Sequence, residues 1–485
     1  MFSSKKRAIE NKQGPALVSF SVHQRTLFER IIDSLIQIYH DTYEIYLLFK
    51  LVIVNRDIYA SLQTWSSSPA RKPLVLRGAR QTGKTHALRW LGDACYKNTV
   101  YLNFEKDPLL ASLFEETLSP EVLVSKITGH TGSGIVPHDT LLIFDEVQEC
   151  NAALNSLKYF HEDAPQIHVA AAGSLLGIKM SKGRSFPVGK VDFLDLFPLT
   201  FSEFLGASKE SRLRNLLVDK HDLVPLANAF HQKLLALLVD YFIVGGMPEV
   251  VAGYVAGDGL ARARHLQEAI LKAYESDFAK HAPSTDIPKL SLVWQSLPRH
   301  LARENKRFIF SALRRGARGR EYEAALQWLH DAGLIHFCLR TTKAAMPLSA
   351  YEEHDIFKVY ALDVGLLGAL ANLPFEILFR GSRVFTEFNG AFIENYVAQQ
   401  LVAAGKRLNY WESAGSAEVD FVFQTSEAIV PLEVKAGINV KSKSMRSFRD
   451  KHPDLPRACR ANLLAFQESG GIENYPLYAV GQCFR

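Results

Sequence analysis

Short apolar runs alternate with longer stretches of helical spacing through the first half of the chain. Leu74-Val75-Leu76, Thr99 to Phe104, Leu141 to Phe144 and Ile167 to Ala172 predict strands; His86 to Leu91 and Asp107 to Thr128 predict helices, and Gly129 to Pro137 a loop. Leu141-Leu142-Ile143-Phe144 is apolar at every position, as a parallel strand covered on both faces must be. An α/β fold built on a parallel sheet is therefore expected. Residues 206–285 read as mostly helical, with Leu234 to Leu238 leading to Gly245-Gly246 and helical spacing resuming from Ala261 to Phe278. Short helices follow, and then Ala332 to Leu339. Near the C-terminus Phe388 to Val397 predicts a helix that buries Phe392 and Tyr396. Glu418 to Phe423 alternates as a strand, with Asp420 on the face opposite Val419, Phe421 and Phe423. Val430 to Lys435 alternates likewise, so Glu433 and Lys435 share a face. Pro431 implies an edge strand or a strand start.

The chemistry is concentrated at Gly78-Ala79-Arg80-Gln81-Thr82-Gly83-Lys84-Thr85, a full G-x-x-x-x-G-K-[ST] pattern between a strand and a helix. Glycines at 78 and 83 let successive backbone N–H groups turn toward phosphate oxygens, and the helix start adds the positive end of its dipole. Lys84 is expected on the β- and γ-phosphates and Thr85 on Mg²⁺. ATP and Mg²⁺ are the cofactors this implies. Asp145 and Glu146 close the apolar run at 141–144, at the strand end where open α/β sheets bind ligands. Asp145 is expected to hold Mg²⁺ and Glu146 to polarise the attacking water. Ser174, at the tip of the following strand, is either a sensor of the γ-phosphate or a turn serine.

Size and composition narrow the frame. At about 150 residues per domain, 485 residues suggest some three domains, and 47% hydrophobic with 22% charged residues is a globular composition. A net charge of +5 leaves nucleic-acid preference to local patches. Five scattered cysteines form neither a C-x-x-C pair nor a His/Cys cluster, which argues against zinc and disulfides and fits a reducing cytoplasm. The start of the chain lacks the apolar core of a secretory signal. The longest apolar run, Ile45 to Val54, contains Lys50 and is about half a membrane span, so no membrane segment is expected. Residues 1–53 read as a helical N-terminal extension, and Val54-Asn55-Arg56-Asp57 would be a natural start for a shorter chain.

Further stretches resemble one family. Arg77 to Thr85, Phe144 to Gln148, Ala172-Gly173-Ser174, Phe197 to Phe204, Gly245 to Glu249, Tyr360 to Leu366 and Glu418 to Phe421 resemble, in order, bacterial and archaeal AAA-type ATPases with a largely uncharacterised C-terminal domain. The resemblance implies an ATPase domain over 54–205 and a helical lid over 206–285 that closes over ATP. The family commonly carries Gly-Arg before its Pro-Leu-Ser-Phe segment, whereas Gly189-Lys190 stands here with Arg184 nearby, so any arginine finger is unassigned.

Residues 286–375 resemble a winged-helix arrangement. Between Arg299 and Arg320, eight basic residues, Arg299, Arg303, Lys306, Arg307, Arg314, Arg315, Arg318 and Arg320, stand against Glu304 alone. Such a face either neutralises DNA phosphates or is a solvated helix face or protein interface. Residues 376–485 resemble the PD-(D/E)xK nuclease-like fold. By position, Asp420 and Glu433 would be metal ligands, Lys435 the catalytic lysine and Glu394 the helix acid, with Lys441, Lys443, Arg446, Arg449 and Lys451 facing phosphates. The ordinary alternative is an ion-pair ladder on a half-exposed strand. The expected function is a Mg²⁺-dependent AAA-type ATPase coupling ATP hydrolysis to a conformational change in a DNA-associated nuclease-like domain. Its rival is an ATP-dependent switch whose inactive nuclease-like fold recruits a protein partner. Self-association into a homo-oligomer is compatible with both.

Overall fold

The computed structural model describes residues 55–174, 189–220, 222–303, 306–374, 383–413, 417–437 and 443–484, with side chains only from Gly390 onward in the helix Arg383–Ala403. The expected N-terminal extension, Arg184 and Lys441 lie outside them. A first sheet contains β1 (Leu74–Gly78), β2 (Asn98–Asn103), β3 (Thr140–Asp145), β4 (His168–Ser174) and β5 (Asp192–Asp195) in the order β2-β3-β4-β1-β5. All neighbours are parallel. Alternate residues supply both faces, which is why β3 is apolar throughout. Leu142 and Phe144 pack with Phe114, Leu123 and Phe160, while Leu141 and Ile143 pack with Leu62, Leu88 and Leu91.

The second sheet is mixed, as the α/β class allows. It holds β6 (Ile335–Thr341), β7 (Glu352–Ala361), β8 (Asn409–Glu412), β9 (Glu418–Gln424), β10 (Ile429–Val434), β11 (Cys459–Asn462), β12 (Gln467–Ser469) and β13 (Ile472–Pro476), ordered β12-β13-β11-β10-β9-β8-β6-β7. The helices Ile287–Leu301 and Gly319–Asp331 precede the β6–β7 hairpin, giving the helix-helix-hairpin order of a winged helix. The hairpin, however, continues the C-terminal sheet: β6 pairs in parallel with β8, Leu339 with Asn409 and Thr341 with Trp411. The segments expected to be winged-helix-like and nuclease-like thus contribute strands to one sheet. Strand periodicity reports which face is apolar and is silent about which strand lies alongside. Pro431 is accommodated because β11 pairs with β10 only from Leu432 onward, so β10 has one neighbour at the proline.

A buried polar hub lies among the helices Asn228–Val244, Pro248–Val255 and Gly259–His281, which fall in the segment expected to form a lid. Asp363 is fully buried and accepts from Gly246 N–H at 2.6 Å, Leu366 N–H at 3.0 Å and Gln399 Nε2 at 3.1 Å. Burial lifts its carboxyl above the usual value, and these hydrogen bonds oppose the rise. Gln399 also donates to the Tyr241 hydroxyl at 2.9 Å, which in turn donates to Leu199 C=O. Gly246 cannot carry a side chain, since a Cβ would stand 2.2 Å from Leu199 O. Three stretches that resemble family motifs, at 197–204, 245–249 and 360–366, therefore meet here as scaffold. Asp363→Ala strands two buried N–H groups and is expected to cost about 3 kcal/mol; equilibrium urea unfolding of the two proteins measures it.

Candidate functional site

β1 ends in the phosphate loop because the chain must turn sharply into the helix Lys84–Cys95. A Cβ on Gly78 would lie 2.3 Å from Leu196 O, and Gly83, the residue before the helix, has φ 94°. Gln81 also has positive φ, 65°. Thr82 is fully buried and its hydroxyl donates to Ala79 C=O at 2.9 Å, closing the loop. Lys84 is buried too, its Nζ donating to Gly78 C=O at 3.1 Å and Ala79 C=O at 2.8 Å across the mouth of the loop. Desolvation is the main influence on Lys84: it pulls the pKa from 10.5 down to about 8, against the opposing pull of Glu146 and Asp145.

The parallel register delivers the acids. Asn103 pairs with Asp145 at the ends of β2 and β3. Asp145 Oδ2 accepts from Thr85 Oγ1 at 2.8 Å, from Tyr101 OH at 2.5 Å and, more weakly, from Asn103 Nδ2 at 3.5 Å. Glu146 has left-handed backbone, φ 51° and ψ 43°, a strained conformation for a non-glycine residue at a strand tip. Gln148 Nε2 donates to its carboxylate at 2.6 Å. Ser174 pairs with Gly78 across β4 and β1 and lines a cavity with Arg80 and Gln148. Thus Lys84, Thr85, Asp145, Glu146 and Ser174 gather at one end of the sheet. The hydroxyl and carboxylate of Thr85 and Asp145, with Tyr101 and Asn103 fixing the acid, are a donor set suited to a hard dication.

Other contributors were not read from the sequence. Arg56 is buried and donates to Glu203 at 3.0 Å, Thr82 C=O at 3.0 Å and Phe197 C=O at 2.6 Å, clamping the loop to the helix Phe201–Ala207. Glu203 closes a capping box with Thr200 on that helix. The T-x-x-E spacing could have revealed Glu203, but nothing local marks Arg56. Tyr101 and the acceptor Asp277 of Arg80 are equally silent in the sequence.

The C-terminal acids fall into two groups. Glu394 is buried, paired with Lys306, and accepts from the Tyr360 hydroxyl at 3.3 Å. Burial raises the Glu394 pKa and the Lys306 and Lys358 ammoniums lower it by more. Lys358 is fully buried, paired with Glu418, and lies 4.7 Å from the centre of the Tyr410 ring. Asp420 accepts from Val434 N–H at 2.8 Å, and burial, with Glu394 beside it, pushes its carboxyl up to about 7. Glu433, 1% exposed, pairs instead with Lys435 at 3.0 Å and faces Arg460 at 3.5 Å. Among the described residues, no three His, Cys, Asp or Glu side chains form a group that could hold a metal ion. Of the basic stretch, Lys306 and Arg307 turn inward to Glu394 and Glu412, whereas Arg303, Arg314, Arg315, Arg318 and Arg320 are exposed. Lys443, Arg446, Arg449 and Lys451 are exposed as well.

A parallel sheet that opens through a G-x-x-x-x-G-K-[ST] loop into a helix, with the loop threonine bonded to a strand-end aspartate, defines a P-loop NTPase fold. Residues 70–205 match the AAA domain family, so this part of the chain is similar to AAA-type P-loop ATPase domains. Residues 235–376 and 389–477 match two domains of unknown function, DUF8612 and DUF4143. No curated protein matches the sequence. Among solved structures the chain is similar to the Walker-type ATPase paby2304 of Pyrococcus abyssi, at 14% identity over 66% of this chain and 96% of that one, TM-score 0.43. It is also similar to a single-substitution variant of RuvB of Thermotoga maritima, at 16% identity over 57% and 88%, TM-score 0.28. AMPPCP-bound DnaA of Aquifex aeolicus matches at 13% identity over 56% and 86%, TM-score 0.26. No helix among the described residues is long and apolar enough to cross a membrane.

The Lys84 pKa has a stability consequence. Between about 8 and 10.5 the unfolded chain holds a proton that folded Lys84 does not, so this residue's contribution to stability rises with pH through that window. Compared with Lys84→Met, the native protein should gain stability from pH 8 to 10.5 in urea unfolding, and a constant difference would contradict the shift.

Proposed function

We propose that the chain is a Mg²⁺-dependent AAA-type ATPase whose turnover shifts the lid helices and, through the Asp363 hub, the C-terminal sheet. The observation that carries this is the 2.8 Å hydrogen bond between Thr85 and Asp145, which joins the phosphate loop to the acid strand. Loop N–H groups and Lys84 would bind the β- and γ-phosphates, the ammonium exchanging two carbonyl acceptors for phosphate oxygens. Thr85 and Asp145 would hold Mg²⁺, which supplies charge neutralisation across the phosphates. Glu146, held by Gln148, would orient a water whose oxygen bonds to the γ-phosphorus while the bond to the bridging oxygen breaks and its electron pair leaves with ADP. Ser174, at the end of β4 beside Gly78, would sense the γ-phosphate. DNA is the partner that the exposed arginines from Arg303 to Arg320 favour.

The experiment is calorimetry with Mg·ATP beside a phosphate-release assay. Lys84→Ala should lose nearly all nucleotide affinity, and Glu146→Gln should bind ATP while turnover falls by about 100-fold or more. No Mg·ATP affinity in the folded native protein would overturn the ATPase.

One observation favours a non-cutting C-terminal domain. Lysines or arginines of the same chain already engage Glu394, Glu418 and Glu433, and Asp420 is bonded to a neighbouring strand. In this second reading the ATP-driven change recruits a protein partner through a nuclease-like fold that does no chemistry. Purified protein with Mg²⁺ should then leave duplex and single-stranded DNA intact; cleavage that disappears in Lys435→Ala would restore the nuclease.

A further inference from the structure

The strongest unassigned feature is the side chain of Arg80, the third residue of the phosphate loop. It leaves the loop for the lid helix Gly259–His281. Its Nη1 donates to Asp277, whose side chain is 15% exposed, and Nη2 stands 3.7 Å from Glu105. Tyr274, one turn before Asp277, is fully buried and donates from its hydroxyl to Arg80 C=O at 3.0 Å. One face of the lid helix thus grips residue 80 by both side chain and backbone. Arg80, Asp277 and Tyr274 line a cavity of about 30 Å³ together with Gln148 and Ser174, from the ends of the catalytic strands. That is room for one or two waters beside the residue that holds Glu146. Lys190, at the position where the resembled family commonly carries arginine, is paired with Glu162 at 2.9 Å.

We infer that Arg80 is a catalytic residue of the ATPase, an intramolecular guanidinium for the γ-phosphate that Asp277 holds in reserve, so that the lid helix gates hydrolysis. This rests on the ATPase reading above. A guanidinium is always charged and presents a planar fork that suits carboxylate and phosphate oxygens alike. A γ-phosphate at the mouth of the loop therefore competes with Asp277 for the same donors, and release from Asp277 loosens the helix from the loop. As the water oxygen bonds to phosphorus, one water proton leaves toward Glu146 and the bridging electron pair goes to ADP. Arg80 would then neutralise charge on the equatorial oxygens, the step at which such a group contributes most. Glu146 and Glu105 add to the field at Arg80, which places the guanidinium within electrostatic reach of the catalytic acid.

The test uses the full chain and four variants: Arg80→Ala, Arg80→Lys, Asp277→Ala and the double Arg80→Ala/Asp277→Ala. Turnover is measured together with calorimetric affinity for Mg·ATP and for the transition-state mimic Mg·ADP·AlF₄⁻. Arg80→Ala should keep ATP affinity within about threefold while turnover and mimic affinity both fall by about 100-fold or more. Arg80→Lys should not restore them, because an ammonium lacks the fork. Asp277→Ala should raise turnover by about three- to tenfold, and that gain should vanish in the double variant. Turnover and mimic affinity within twofold of native in Arg80→Ala would overturn the inference. So would a gain from Asp277→Ala that persists without Arg80. Where native turnover is too slow to follow, mimic affinity alone decides. Absence of any Mg·ATP binding by the native protein would instead remove the ATPase reading, and is read separately.

Discussion

One buried carboxylate ties together the three segments that meet at the hub. Asp363 caps its own helix through Leu366 N–H, takes the Gly246 N–H of the lid and is steadied by Gln399 of the helix Arg383–Ala403. A carboxylate without water is tolerable only when hydrogen bonds replace its hydration, and here three segments far apart in sequence supply them. The close contacts of Gly246 with Leu199 and of Gly365 with Val244 follow from that bond, since any side chain would push the segments apart. The nucleotide core, the lid and the second sheet are therefore docked by polar complementarity as well as by apolar packing.

The phosphate loop depends on a second buried charge. Arg56 ties Thr82 C=O to Glu203, and Glu203 in turn caps the helix Phe201–Ala207, whose Phe201 and Phe204 pack on the hub residue Tyr241. A buried ion pair of this kind adds little net stability, because desolvation offsets most of the attraction, but its geometry is specific. Its use here is positional: three hydrogen bonds from one planar group fix the loop against two other segments.

The nucleotide end of the sheet was legible because its chemistry is local. Gly78 to Thr85 occupy consecutive positions, and the apolar run at 141–144 names its own closing acids, so strand, loop and carboxylates could be placed without knowing the rest of the fold. Arg56, Tyr101 and Asp277 were not legible, since each acts on a partner tens of residues away and no periodicity marks a single polar contact. The motifs at 245–249 and 360–366 were visible as patterns but not as a hub, because their meaning lies in a hydrogen bond between them. Asp420 and Glu433 lie on the expected strands, Lys435 stands one residue past the end of β10, and Glu433 does meet Lys435. What the sequence could not disclose was that Lys306 and Lys358, from outside those strands, neutralise the acids around Asp420.

The helix Gly259–His281, the expected lid helix, touches both the phosphate loop and the hub. Near its C-terminal end Tyr274 and Asp277 hold the phosphate loop; at its middle Gln267 donates to Ile243 C=O at 2.8 Å and Val244 C=O at 2.9 Å, beside Gly245. Closer to its start Arg264 donates to Leu373 C=O at 3.0 Å, just beyond the helix Val364–Leu370. Residues 267 and 277 are about 15 Å apart along a rigid rod. In the proposed cycle, a shift of the loop that releases Asp277 would not be absorbed within the helix and would rotate or slide it against the hub. Packed interfaces of this type have few alternative arrangements, so the proposed response would be a discrete repacking and not a graded strain. The carbonyls that Gln267 holds belong to the turn whose Gly246 bonds to Asp363, and Asp363 begins the helix that follows β7 of the second sheet. Hydrogen bonds and one rigid helix thus run from the phosphate loop to the end of β7, the edge strand of the C-terminal sheet.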